Sequence, residues 1–417
     1  MAEAYIIDSV RTPRATGKPG KGAYYGMHPQ HLAATVLKAL RERNNLNTSD
    51  IDDVIWGTSS QKGQQAGDLA RMAALDAGYD TSVSGVTMDR FCGSGLTAIN
   101  LAAGQLKAGH EELIIAGGTE MMSHITEQSM KERELGILSG GLGTGNPRLH
   151  AKYPQSHQGM CADAIASMEG FTREQLDAFS LESQRRAAHA IANGYFDHSM
   201  VPVLDDDGNV VLDKDQHPRP ETTMDDLAKL TPSFLKIADM PMNREGETPR
   251  GLINRVYPDV DIQCMHHAGS SSGVVDGAAA MLMASDAYVK KSGLKPRARV
   301  VTTANMGDDP TLMLNAPVPA AKKILARAGL TVADIDLWEV NEAFAVVVTK
   351  FIRDMGISPD VINVNGGAIA LGHPIGATGA VLIGTVLDEL ERRNLKRGLI
   401  TMCAAGGMAP AIIIERV

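Results

Sequence analysis

A chain of 417 residues with 44% hydrophobic and 21% charged side chains has the composition of an enzyme-sized globular protein, which excludes disordered and collagen-like classes. Its formal net charge of -9 argues against a general nucleic-acid binder, because such a protein needs a basic face to neutralise phosphates. Four scattered cysteines, Cys92, Cys161, Cys264 and Cys403, form no CxxC pair and are too few for a disulfide framework, so a reduced, cytoplasmic setting is expected.

In chain order, Met1-Ala2-Glu3-Ala4 carries an acid and no basic n-region and runs into a strand at Tyr5-Ile6-Ile7, so no secretory leader is expected. Apolar runs stop short of the roughly 18 to 20 residues of a membrane-spanning helix. Strands are expected at Glu112–Ala116 and Gly398–Met402, each after a helix-like stretch and each ending at glycines. The alternation of short β-branched runs with Ala/Leu-rich helical stretches predicts an α/β fold with parallel strands. From about Met122 to His267 the composition shifts to glycine clusters, an acidic turn at Asp205-Asp206-Asp207-Gly208 and many prolines, which reads as an inserted, loop-rich region with some helices, such as Arg173–Asn193.

An internal repeat organises the rest. The segment Thr48–Trp56 resembles Thr331–Glu339; Cys92 follows the first threonine by 44 residues and His373 follows the second by 42. Each then precedes a Gly/Ala-rich helix and a strand ending in a glycine pair, Gly117-Gly118 and Gly406-Gly407. Two similar α/β halves are implied, and packing by pseudo-symmetry would bring Cys92 and His373 together.

Cys92 lies in Asp89-Arg90-Phe91-Cys92-Gly93-Ser94-Gly95, where a strand ends and a helix begins. A helix N-terminus favours thiolate, and the flanking glycines would let a substrate approach; the other reading is a buried structural cysteine. His373, in a Gly-His-Pro turn, suits a base or hydrogen-bond donor, or a structural histidine. The glycines around it do not follow GxGxxG, so a nicotinamide site is not expected. Asn341-Glu342-Ala343-Phe344 and Cys403-Ala404-Ala405-Gly406-Gly407 complete the set. Two cysteines and a histidine in separate turns show no zinc-ligand spacing.

Together these four motifs, in this order and over nearly the whole chain, resemble the thiolase family. The resemblance implies a thiolase fold of class α/β, with two pseudo-symmetric α/β halves in layered αβαβα packing plus an inserted loop domain. The halves would be 1–121 with 268–292 and 293–417, with 122–267 inserted for coenzyme A binding and oligomer contacts. It implies an acetyl-CoA C-acyltransferase that cleaves 3-ketoacyl-CoA by thiolysis, with coenzyme A as substrate and no permanently bound cofactor or metal. Cys92 would be the nucleophile, His373 its activator, Cys403 the acid/base at the α-carbon, and Asn341 an enolate-side positioner. Backbone N–H groups of Cys92 and Ala405 would form an oxyanion hole. Coenzyme A would be met by Leu149, His157, Arg219, Phe234, Ala268, Ser272 and Phe344.

A homodimer or homotetramer, a possible hydratase/dehydrogenase partner and no nucleic acid or membrane span complete the expectation. Alternatives are a biosynthetic acetoacetyl-CoA thiolase, a decarboxylating ketoacyl synthase, disfavoured by Cys403, and a non-catalytic CoA-thioester subunit, disfavoured by the intact motifs. The chain departs from the family where Gln158 replaces the methionine of acetoacetyl-specific members. It departs again where Met313-Leu314-Asn315-Ala316-Pro317 replaces Met-Gly-Thr-Gly-Pro, where alanines follow Cys403, and where Phe234–Ala268 is longer than usual. Gln158 and the long segment are expected to alter the acyl pocket in favour of six-carbon or longer substrates.

Overall fold

The computed structural model describes residues 2–136, 142, 144–243 and 245–417. Its described strands are β1 (Ala4–Arg11), β2 (Ala15–Thr16), β3 (Asp53–Gly57), β4 (Ser84–Met88), β5 (Leu113–Met121), β6 (Val203–Leu204), β7 (Val210–Leu212), β8 (Val275–Ser285), β9 (Ala298–Gly307), β10 (Leu337–Val340), β11 (Arg397–Thr401) and β12 (Met408–Arg416). All but the β6–β7 hairpin join one sheet in the order β10-β11-β12-β9-β1-β8-β5-β3-β4, with β2 on β8.

The order contains the same unit twice. In the first half β3 and β5 are parallel, β5 and β8 antiparallel, and β8 and β1 antiparallel. In the second, β10 and β11 are parallel, β11 and β12 antiparallel, and β12 and β9 antiparallel. Within the sheet the two units are joined by a short β1–β9 pairing, Tyr5 with Arg299 and Ile6 with Ala298. The sheet is therefore mixed rather than parallel. Helical crossovers make the parallel pairs, while the returning strand of each half enters from the far side and runs the other way. The strand expected at Glu112–Ala116 runs on through Gly117-Gly118 to Met121, buried throughout. Thus the first glycine pair lies inside a strand, and only Gly406-Gly407 forms a turn, with φ of 78° and 75°.

Three apolar clusters separate the layers. Leu32, Leu37 and Leu40 of the helix Pro29–Arg43 pack with Trp56, Ile115 and Leu282 on the outer face of the first half. Ile324 of the helix Pro317–Ala328 and Phe351 of the helix Ala345–Met355 pack with Ile413 and Leu399 on the outer face of the second. Between them, Leu96 and Ile99 of the helix Ser94–Ala108 and Ile383 and Leu387 of the helix Thr378–Arg392 share a core with inward side chains of both halves, including Ile114 and Ile412. These alternations give helix, sheet, helix, sheet, helix.

The two central helices begin at the two turns expected to carry the chemistry, so the layering itself brings those turns together. The approach is close: a Cβ on Gly118 would lie 2.0 Å from the Gly376 carbonyl oxygen, and one on Gly95 would lie 2.6 Å from the same oxygen. Gly95 therefore admits the opposite half rather than a substrate. Gly93 likewise faces Pro410, 2.8 Å from where its Cβ would be.

Residues between Met122 and His267 combine long irregular stretches with several helices. The longest of these helices, Arg173–Ala192, is fixed by a capping box between Thr172 and Gln175. No helix among the described residues is long and apolar enough to cross a membrane.

Candidate active site

Cys92 is placed by a strained turn. Between β4 and the helix Ser94–Ala108, Phe91 adopts φ 50°, a left-handed conformation that costs an aromatic residue free energy. The turn is over-determined by side chains. Asp89 accepts the Phe91 N–H at 2.6 Å, and Ser94 Oγ accepts the Arg90 N–H at 2.9 Å while donating to the Phe91 carbonyl at 2.6 Å. Cys92 consequently sits at the start of the helix, 7% exposed.

His373 is held from three parts of the chain. Its N–H donates to the Gly273 carbonyl at 2.9 Å. Arg14 of the first half donates to the neighbouring Gly372 carbonyl at 3.2 Å, and Glu120 at the end of β5 accepts the Gly376 N–H at 2.8 Å. Both charged side chains are buried and satisfied elsewhere: Arg14 pairs with Asp215, and Glu120 also accepts from Ser59, Thr58 and Gln65. The imidazole tautomer follows from one hydroxyl. Thr378 Oγ1 donates to the Pro374 carbonyl at 3.0 Å, so toward His373 Nδ1, 2.6 Å away, it acts as acceptor. Nδ1 then carries the proton and Nε2 presents its lone pair, with the Asn341 amide nitrogen 3.4 Å away. Asn341 is fully buried, and its Oδ1 has no protein partner.

Cys403 follows β11, where a reverse turn pairs Ala404 with Met408 (Ala404 N–H to Met408 O, 2.7 Å). The Ala405 N–H and the Cys92 N–H both lie near enough to the Cys92 sulfur to favour its thiolate.

Burial dominates the electrostatics. It pushes the Cys92 thiol up to about 12, with a further push from the Glu120 carboxylate and opposition from the two N–H groups. The thiolate expected from a helix N-terminus is therefore not the resting form. Burial, with Cys92 as neighbour, raises Cys403 as well. His373 moves down to about 4, through burial and the nearby Arg14 guanidinium, so it rests neutral.

Cys92, His373 and Cys403 line one cavity of about 160 Å³. Asn341, beside His373 Nε2, is not among the wall residues. Of the residues expected to meet coenzyme A, Ser272 and Phe344 line the cavity. His157 and Phe234 continue outward from Phe344 as an aromatic run, with centroid separations of 5.9 Å and 5.2 Å. Leu149, Arg219 and Ala268 are not among the wall residues. Arg219 and Ala268 are exposed, and Arg219 neighbours His217, which packs against Gly273 of the cavity.

Gln158 lines the cavity, as do Met122, Val274 and Leu314, whereas no described residue from Leu235 to His267 does. The long segment instead packs its helix Pro249–Asn254 against the helix Gln158–Glu169. It is tied there by Asp163, which accepts the N–H groups of Met265 and His266 and pairs with the His266 ring. Sequence reasoning did not single out Arg14, Glu120, Gly273, Leu314 or Thr378 as site residues. Thr378 could have been found, five positions past His373 in the same glycine-rich motif. Arg14 and Glu120 carry no local signal, since each meets the turn only through the tertiary fold.

Comparison with known proteins agrees with this geometry. Residues 4–238 match the family model "Thiolase, N-terminal domain" and residues 294–416 match "Thiolase, C-terminal domain". The chain is 39% identical to a beta-ketoadipyl-CoA thiolase of Acinetobacter baylyi and 37% identical to a 3-ketoacyl-CoA thiolase of Cronobacter sakazakii, with 100% of each chain covered in both cases. It superposes on the crystal structure of the Bacillus anthracis acetyl-CoA acetyltransferase with a TM-score of 0.83 at 31% identity, covering 100% of this chain and 99% of that one. Two half-sheets repeating one topology, with a cysteine turn and a histidine turn meeting between them, carry both halves of one family's pattern: the chain belongs to the thiolase family.

Proposed function

We propose that this protein cleaves 3-ketoacyl-CoA thioesters by thiolysis, giving acetyl-CoA and a shortened acyl-CoA through an acyl-Cys92 intermediate. The observation that carries the reading is the convergence, in one cavity, of Cys92, His373 and a second thiol, Cys403.

Cys92 gives its proton to His373 Nε2 as its sulfur attacks the 3-keto carbon. With the thiol near 12 and the imidazole near 4, transfer before attack is strongly uphill. Proton transfer is therefore coupled to bond formation, when the negative charge moves onto an oxygen held by the Cys92 and Ala405 N–H groups. The C2–C3 bond then breaks, leaving an acyl thioester on Cys92 and the enolate of acetyl-CoA. The enolate oxygen accepts from His373 Nε2–H, with Asn341 beside it, and the Cys403 thiol delivers its proton to C2. Coenzyme A next attacks the acyl-Cys92 carbonyl, giving its thiol proton to the Cys403 thiolate; the Cys92 thiolate departs and regains the proton held by His373. Residues 122–267, the insertion between the halves, supply His157, Phe234 and Arg219 along the coenzyme A path.

For the acyl group we propose an uncharged chain of six carbons or more. Gln158 and Leu314 shape the cavity, and no lysine or arginine is among its described wall residues. Burying a carboxylate without a partner costs several kcal/mol. The names of the whole-length relatives favour a second reading, a six-carbon substrate ending in a carboxylate. Steady-state thiolysis of 3-oxohexanoyl-CoA, 3-oxoadipyl-CoA and acetoacetyl-CoA at equal coenzyme A separates these. The first should have the highest kcat/KM; a preference for 3-oxoadipyl-CoA would establish the second reading, and a preference for acetoacetyl-CoA would refute both chain-length readings. Loss of all thiolysis in Cys92→Ala, with full activity in Cys264→Ala, tests the nucleophile.

A further inference from the structure

Leu314 occupies an unusual position. It is 4% exposed and belongs to the wall of the catalytic cavity. It also belongs to the wall of a second, much smaller void of about 10 Å³, whose other walls are mostly aliphatic, Ile165, Pro317, Val318 and Val347, with Asn315 and Lys350 as its polar members. No other described residue lines both. One side chain therefore forms the partition between the site of chemistry and an aliphatic space between the insertion and the second half.

The backbone holds that partition firmly. Met313, just before it, sits at φ 64°, a left-handed conformation unfavourable for a methionine, and its N–H donates to the Asp309 carbonyl at 3.0 Å. The Leu314 N–H turns back to the Leu312 carbonyl at 2.7 Å, and Pro317 starts a helix three residues later. A strained turn immediately followed by a fixed helix start leaves the leucine little freedom to swing aside. Its place in the sequence is also where the compared motif has glycine, which would leave no partition.

We propose that Leu314 is the specificity-determining residue for acyl chain length, closing the catalytic cavity against an aliphatic extension that would otherwise receive the end of a longer chain. This deepens the thiolase reading and rests on it, but it does not depend on which chain length the wild type prefers. The far end of the acyl group points away from Cys92 and from the aromatic run at the mouth, into buried aliphatic surface, where Leu314 is the barrier. The substrate class that removal of the barrier admits is a saturated, uncharged 3-ketoacyl-CoA. Lys350, on the wall of the void, is already paired with Glu169 and Asp354, so a terminal carboxylate would meet two acids as well as one base.

The experiment compares kcat/KM for 3-oxododecanoyl-CoA with that for acetoacetyl-CoA in wild type, Leu314→Ala, Leu314→Phe and the double variant Leu314→Ala/Val318→Phe. Each additional methylene buried is worth a factor of about four, so two of them should raise the long-to-short ratio of Leu314→Ala by about fifteenfold over wild type. Leu314→Phe should lower it. Refilling the void with Val318→Phe should return the ratio of the double variant toward the wild-type value. A ratio unchanged in Leu314→Ala overturns the proposal, and so does a raised ratio that Val318→Phe leaves raised, since the added room would then lie elsewhere. If Leu314→Ala does not fold, Leu314→Phe decides alone: an undiminished ratio overturns the assignment. Loss of thiolysis of both substrates by wild type would instead be a failure of the thiolase reading.

Discussion

Thr378 offers the most incisive test of the proposed chemistry, because a single oxygen determines which nitrogen of His373 can take a proton. Thr378→Val keeps the shape and removes that oxygen. The structure then leaves two outcomes for the imidazole. If Nδ1 keeps its proton, a buried donor loses its only partner, at a cost of about 1 to 3 kcal/mol. If the proton moves to Nε2, the lone pair proposed to take the Cys92 proton is lost and the base is absent. The enzyme must then reach the productive tautomer from a state lower by about that cost. At 1.36 kcal/mol per tenfold, kcat for acylation should fall by roughly 5-fold to 150-fold. Thr378→Ser retains the oxygen at the same distance from the backbone and should stay within about threefold of wild type. Single-turnover acylation by a 3-ketoacyl-CoA, quenched and read as acyl-Cys92 by mass spectrometry, isolates this step from product release. The reasoning would be refuted by a folded Thr378→Val enzyme that acylates at the wild-type rate. A loss shared equally by Thr378→Ser would show that packing of the threonine methyl, and not the hydroxyl, is what matters.

Three further outcomes are expected. Cys403→Ala should still accept an acyl group on Cys92 yet fail to exchange the α-protons of acetyl-CoA with deuterated water; exchange at the wild-type rate would remove Cys403 from its role. Alkylation of Cys92 by iodoacetamide should be blocked by prior acylation. Because burial raises its thiol to about 12, the thiolate fraction should keep increasing as pH rises from 7 to 10, and a rate already level by pH 7 would contradict the buried-thiol picture. Gly118→Ala should destabilise by several kcal/mol or prevent folding, since the new methyl would stand 2.0 Å from a backbone oxygen, measured as a drop in denaturant midpoint; a neutral effect would mean the halves are less closely packed than described.

What the sequence disclosed about this site has a common physical character. Cys92, His373 and Cys403 are legible because each stands in a glycine-rich turn at a strand–helix or strand–strand junction, and the repeat places two of them at equivalent points of equivalent halves. The antiparallel returns of β8 and β12 are not legible in the same way. Parallel and antiparallel strands buried on both faces present similar apolar runs, as β5 and β8 do here, and direction is set by what connects them. The placement of the long Phe234–Ala268 segment is not legible for a related reason: its length says that a cover exists, but Asp163 and the helix Gln158–Glu169 decide where residues 235–267 pack, and none of those described lines the cavity.

The electrostatic character of the nucleophile was misjudged for a different reason. Helix position is a local property and favours thiolate, whereas burial belongs to the assembled molecule, and at Cys92 burial is the larger effect. The same assembly explains why the site needs both halves. Arg14 and Glu120 come from the first half, yet they hold the carbonyl before His373 and the amide after it in the second. Gly118 and Gly95 vacate the space into which the Gly376 carbonyl fits. Neither half alone could keep the His373 turn in place, because its polar groups would lose buried partners at about 1 to 3 kcal/mol each. The repetition of one unit in two halves therefore also supplies the condition for the proposed chemistry: a cysteine turn from one half and a histidine turn from the other, registered by buried charges that cross between them.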